Sequence, residues 1–193
     1  MHLTHQLEIF IHDDSKILIL GSFPSIKSRE YGFYYSHKQN RFFPVLAKLF
    51  DEPAPSSIEE RKQFLIKHKI ALYDVVEECD IHSSEDASIK NVIPVDIVRI
   101  LKRYPNIKVI GITGKKAASL FDKYLLDKVN IPVIYLPSTS PANAKMSVDD
   151  LVDEYIILIK IFFKIDSMLV YKLSNKSRKR VYSLLEYNYS EQK

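Results

Sequence analysis

Short apolar runs alternate with longer mixed stretches along this chain, and their spacing sorts them into strands and helices. Lys16–Leu20 (KILIL) is nearly unbroken and stops at Gly21, the profile of a central strand. Lys108–Thr113 (KVIGIT) and Val133–Leu136 (VIYL) share that character, and Ile70–Val76 reads as a further strand. Asn40–Phe50 carries Phe42, Phe43, Leu46, Leu49 and Phe50 as apolar contacts of a helix that tolerates Pro44 in its first turn. Ser57-Ile-Glu-Glu60 matches a capping box and opens a helix to about Lys69. Val95–Tyr104 and Lys115–Leu126 have helical spacing. Ser147–Phe163 closes the series, with Ser147 as its cap and acids in its first turn.

Strands separated by helices predict an α/β fold: a three-layer α/β/α sandwich around a central, mainly parallel sheet. Ligands of such sheets sit beyond the carboxyl ends of the strands. Two loops fall there, "GSFPSIKSREYGFYYSHKQN" after the first strand and "PSTSPANAK" after the last. The cleft is therefore expected between them.

Composition narrows the class. With 193 residues, 46% apolar and 27% charged, the chain suits one globular domain with a real core. His2, His5, Glu8 and Asp13-Asp14 break up the start, so no signal peptide is expected, and Lys160, Lys164 and Asp166 interrupt the most apolar run. No membrane association is expected. Cys79 stands alone, which leaves no disulfide framework, thiolate zinc site or cysteine-ligated cluster within the chain and suits a reducing cytoplasm. The six histidines lack ligand spacing, so no metal is expected. A net charge of +4 suits a nucleic-acid partner without demanding one. Gly111-Ile-Thr-Gly114-Lys115 follows a strand, but it has two residues between glycines where a phosphate-cradling loop needs four.

The first loop holds Tyr31, Phe33, Tyr34 and Tyr35 beside Ser36, His37, Lys38, Gln39 and Asn40. Clustered aromatics often form a small core packed under a loop. An aromatic face beside amide and imidazole groups also suits a planar heterocycle, which needs stacking and an edge to be read. In the second loop, Pro137 and Pro141 pin a run of small hydroxyl residues. It is either a set of nested turns or a surface that lets phosphates approach the backbone closely.

Taken together, "GSFPS", "YYSHKQNRFF" and "LPSTSPANA" resemble the uracil-DNA glycosylase superfamily, and most of all its hypoxanthine-DNA (deoxyinosine) glycosylase branch. That branch reads roughly Gly-Ser-x-Pro-Gly, Tyr-Tyr-x-His-Pro-Arg-Asn-x-Phe-Trp and Leu-Pro-Ser-Thr-Ser-Pro-Ala-Asn. The likeness runs from about Leu18 to Phe162, with support from "ALYDVVEEC", "SSEDASIKN" and "GKKAASLF". It implies a monomer with no metal and no cofactor. The implied partner is double- or single-stranded DNA carrying a deaminated base, met at the nucleoid.

Carried over by residue, the resemblance puts Asn40 on the catalytic asparagine, His37 on the motif histidine and Tyr35 on the aromatic that stacks on the extruded base. Ser22 and Phe23 fall in the first motif. Phe23 stands where the mismatch-specific uracil/thymine branch has a water-positioning asparagine. Ser138–Asn143 falls on the loop that grips the minor-groove side, with Ser138, Ser140 and Asn143 as its expected contacts. Ser25, Lys38-Gln39 and Phe43 depart from the pattern, replacing glycine, Pro-Arg and tryptophan. Residues 1–163 are expected to form the catalytic domain and 164–193 a basic extension without counterpart. The implied reaction is hydrolysis of the N-glycosidic bond of a deaminated base, hypoxanthine first, leaving an abasic site. The rival readings are a mismatch-type uracil/thymine glycosylase, a DNA-binding module that has lost catalysis, and an enzyme of free nucleosides.

Overall fold

The computed structural model describes residues 2–81 and 89–162, so the basic segment 164–193 and most of "SSEDASIKN" lie outside the described residues. The chain builds β1 (His2–Thr4), β2 (Ile17–Gly21), α1 (Ile26–Tyr31), α2 (Phe42–Phe50), α3 (Ile58–Lys67), β3 (Ile70–Asp74), β4 (Val76–Asp80), β5 (Lys90–Pro94), α4 (Ile97–Arg103), β6 (Val109–Thr113), α5 (Lys115–Tyr124), β7 (Val133–Leu136) and α6 (Val148–Phe162). β3, β2, β6 and β7 pair in that order, all parallel. Ile17 to Leu20 and Val109 to Ile112 are buried throughout, as expected of strands with apolar layers on both faces. Helix α6 packs on β6 and β7 and meets α2, while α3 lies against β3 and α5 against β6. The α/β expectation holds.

Local chemistry explains most element ends. Ser57 accepts from Glu60 N at 3.1 Å, and Glu60 Oε2 accepts from Ser57 N at 3.2 Å, completing the capping box of α3. A second reciprocal pair, Ser147 with Asp150, opens α6. The Asn40–Phe50 helix begins only at Phe42, because the Asn40 side chain turns back to accept from Phe42 N at 2.9 Å. The α3 helix ends at Lys67, and Lys69 takes φ +56° on the way into β3.

The expected Ile70–Val76 strand divides. β3 stops at Asp74, and β4 starts at Val76 in a second sheet of order β1-β4-β5, antiparallel throughout. This sheet and the short helix α1 were not expected. β5 is largely exposed and β4 half-buried, and their register is irregular, so neither shows a clean alternation to read from sequence. Among the described residues, no helix is long and apolar enough to cross a membrane, and no group of three or more His, Cys, Asp or Glu could hold a metal ion.

Candidate active site

The four parallel strands end on one side of the molecule, and there a cleft of about 330 Å³ opens. Gly21 from β2, Asp74 from β3 and Thr113 from β6 line it, with the loops after β2 and β7 as walls. Of the residues singled out from sequence, Ser22, Phe23, Tyr35, His37, Asn40, Ser138 and Ser140 all face this cleft. Asn143 does not line it. Its Nδ2 donates to Ser138 O at 2.9 Å, so it braces the loop from behind. A larger groove of about 850 Å³ lies between β4 and α4, lined by Tyr73, Glu77, Arg99 and Arg103. None of those predicted residues reaches it.

Asn40 has a defined orientation. A backbone N–H only donates, so the Asn40 atom 2.9 Å from Phe42 N must be its oxygen. The same Oδ1 accepts from Thr139 Oγ1 at 3.0 Å. The side-chain NH2 is the group left for the cleft, and it has no recorded partner among the described residues. Asn40 is thus a donor toward whatever enters. Its own N–H donates to His37 O at 2.8 Å, closing a tight turn. His37 Nδ1 accepts from Gln39 N at 3.1 Å, so a neutral ring carries its proton on Nε2.

Tyr35 forms a supported platform. One face stacks on Phe42, with centroids 3.8 Å apart and planes 11° from parallel, and Phe42 is fully buried. The phenol meets Thr113 Oγ1 at 3.2 Å. Tyr35 has φ +53°, a left-handed conformation that costs a non-glycine residue about 1–2 kcal/mol and tends to gather at functional sites. Burial pushes its phenol well above the ordinary range. The Thr113 hydrogen bond opposes this, and the Asp74 carboxylate adds to it. The ring stays neutral through the physiological range.

The second loop is held by a residue that the sequence reading passed over. Arg41 Nη2 donates to Ser140 O and Asn143 O, both at 2.8 Å, Nη1 donates to Met146 O, and Nε reaches Thr139 O at 3.4 Å. Arg41 N adds a 3.0 Å bond to Thr139 O. One guanidinium therefore ties down carbonyls from Thr139 to Met146 and locks the loop after β7 to the start of α2. Thr139 itself is 2% exposed and links the loops through Asn40. Arg41 follows the motif asparagine directly, and that adjacency was the available signal. Thr139 fell within the expected gripping loop but was not among the residues singled out from it.

Comparison with known proteins identifies the family. The family model described as the uracil DNA glycosylase superfamily matches residues 9–158. A Methanosarcina acetivorans protein named hypoxanthine DNA glycosylase is 29% identical over 138 residues, 71% of this chain and 86% of that protein. Its Methanosarcina barkeri counterpart of the same name is 31% identical over 137 residues, 70% of this chain and 85% of that one. A solution NMR structure from Methanosarcina acetivorans, described as a candidate uracil DNA glycosylase, superposes with a TM-score of 0.72 at 24% identity, covering 83% of this chain and 99% of its own. That last likeness speaks for the fold alone. The chain belongs to the uracil-DNA glycosylase superfamily and is a DNA glycosylase, a hydrolase of that fold.

Proposed function

We propose that this glycosylase removes hypoxanthine from DNA by hydrolysis, leaving an intact strand with an abasic site, and that residues 1–163 form its catalytic domain. The observation that carries the reading is the cleft itself: a rigid aromatic face beside an amide whose NH2 alone is open to a ligand. A base within a duplex is out of reach, so the nucleotide must be extruded and its base laid on Tyr35. As the C1′–N9 bond breaks, its electron pair goes to the departing base, water supplies the new C1′–O bond, and the proton the water loses ends on the released base. Negative charge develops on the base, and preoriented donors stabilise it. Asn40 Nδ2–H and His37 Nε2–H are donors of that kind. The names of the curated relatives support hypoxanthine as the base.

Phe23 weighs against the mismatch-type reading. It lines the cleft and is 7% exposed, packed edge-on against His5 at 5.8 Å. An apolar ring there supplies no hydrogen bond to a water. Strand cleavage would need an amine that loses its proton readily. Lys38 is exposed, and Lys27, the lysine lining the cleft, is held protonated by Glu30 at 2.6 Å, whose hydrogen bond and charge raise its pKa.

Single-turnover release of hypoxanthine, uracil and thymine from otherwise identical duplexes tests the proposal. Hypoxanthine is expected fastest, with strand breaks only after alkali. A uracil rate above the hypoxanthine rate overturns the substrate, and a borohydride-trapped enzyme–DNA adduct overturns the simple hydrolysis.

A further inference from the structure

Arg61 on α3 does not line the cleft, and no ion pair holds its charge among the described residues. The acids of its own helix are engaged elsewhere. Glu60 accepts from Ser56 N, Ser56 Oγ and Ser57 N, and Glu59 accepts from Gln63 Nε2. The Nε of Arg61 is buried and has no hydrogen-bond partner among the described residues. Burial lowers the pKa of the guanidinium from its ordinary value. A half-buried cation without a counter-ion is costly, so the two contacts it does make carry the reason for its place.

Both contacts lead to Tyr35. The guanidinium lies over the Phe43 ring, with Cζ 4.9 Å from its centroid, an attraction that pins the plane of that ring. Phe43 meets Phe42 edge-on, with centroids 5.3 Å apart and planes at 87°, and Phe42 is the ring on which Tyr35 stacks. On the other side, Nη1 donates to Ser36 Oγ at 3.5 Å. Ser36 follows Tyr35 in the chain. It is buried and donates to Phe33 O at 2.7 Å, closing the turn in which Tyr35 takes φ +53°. A left-handed tyrosine persists only where its surroundings over-determine it. Arg61 grips it twice, from beneath through two rings and from the next residue along the backbone.

We infer that Arg61 is a positioning residue, which fixes the plane and depth of the Tyr35 stacking surface from outside the cleft. The inference rests on the reading of Tyr35 as the surface that receives the extruded base, and it holds for whichever base is released. Arg41 ties the two walls together, whereas Arg61 acts on one ring of one wall. Asn40 keeps its own anchors at Phe42 N and Thr139 Oγ1. Losing Arg61 therefore weakens stacking and leaves the amide where it is.

A double-mutant cycle on the full chain tests this. The second-order single-turnover rate constant is measured for the deaminated base released fastest, with thermal melts showing that each variant is folded at the assay temperature. Arg61→Met keeps an apolar stem over Phe43 but removes the charge and the donors. It should lower the rate constant about three- to tenfold in the natural protein, and by less than about 1.5-fold in the Tyr35→Ala background. A general loosening of the loop would disturb His37 and Asn40 as well, so its effect would persist without Tyr35. An undiminished loss in the Tyr35→Ala background, or no loss in the natural protein, overturns the inference. If Arg61→Met does not fold, Ser36→Ala, which removes the hydroxyl that Arg61 reaches, should show the same dependence on Tyr35, and an effect independent of Tyr35 overturns the inference. Tyr35→Ala without any loss of its own overturns the stacking reading, a result distinct from either of these.

Discussion

The two walls of the cleft work by different means. The loop after β2 acts through side chains: Phe23, Tyr35, His37 and Asn40 turn into the cleft, and Phe42 backs Tyr35 from the core. The loop after β7 is defined by its backbone. Its carbonyls are gathered by Arg41 and Asn143, and the small side chains of Ser138 and Ser140 leave the surface open to close approach. Yet the walls are not independent, because Asn40 Oδ1 and Arg41 both bind the second loop from the first. In the proposed reaction one wall supplies the chemistry and the other supplies shape, and two adjacent residues hold them in register.

Asn40 should show the largest effect. Asn40→Ala is expected to lower single-turnover base release by about 10²–10³ or more, with duplex affinity within about tenfold. Asn40→Asp sharpens the point, since it keeps an acceptor for Phe42 N and Thr139 while removing the NH2 donor. Release should fall as far, but with the hydrogen bond from Phe42 N, worth about 1 kcal/mol, retained in thermal melts. Equal losses of binding and rate would mean that Asn40 belongs to the architecture alone.

Arg41→Met tests the shape-bearing wall. Its loss strands several carbonyls and should destabilise the fold by about 2–3 kcal/mol. Base release should drop about tenfold, through the displaced loop. Arg41→Lys should not restore it, because a single ammonium cannot span carbonyls that a planar fork reaches together. Denaturant melts paired with release rates give both numbers.

Tyr35→Ala removes the platform and should weaken action on every accepted base by about 1–3 kcal/mol, since stacking is blind to base identity. A loss confined to one base would make Tyr35 an edge reader. Tyr35→Phe should be the mildest change, within about 0.5 kcal/mol, because the phenol engages Thr113 and the proposed stacking uses the ring face. Its raised pKa adds a pH signature. The folded phenol holds its proton more tightly than the unfolded one, so this contribution to stability is complete below pH 10 and declines only above it. Alkaline melts of Tyr35→Phe should show a shallower decline, the remainder coming from Tyr34, Tyr73 and Tyr155, whose phenols burial also pushes up.

The parallel sheet was legible because β2 and β6 are short apolar runs buried by layers on both faces, and β7, half-buried at the sheet edge, is a further short run of the same kind. Their periodicity needs no partner to be recognised. The antiparallel sheet was not. His2–Thr4 is a strand only because it pairs with Glu78–Asp80, and the polar mixture of β4 and β5 reads as loop until that pairing exists. In the cleft, Tyr35, His37 and Asn40 were visible as a run of chemically suited residues. Arg41 sat beside them unread, because carbonyl oxygens that it would bind about a hundred residues away leave no mark on composition.

The order of the parallel strands and of helices α2 to α6, the position of the cleft at the strand ends and the aromatic-amide character of its first wall follow from local pattern, since apolar spacing and cap chemistry act within a few residues. Tertiary structure alone decided which atom of Asn40 faces the cleft, because that depends on where Phe42 N and Thr139 Oγ1 lie. It also decided that Asn143 braces and does not line. And it brought His5 to Asp74 across 69 residues. Each of those outcomes rests on a hydrogen bond whose geometry is set by packing, and no single stretch of sequence contains both of its ends.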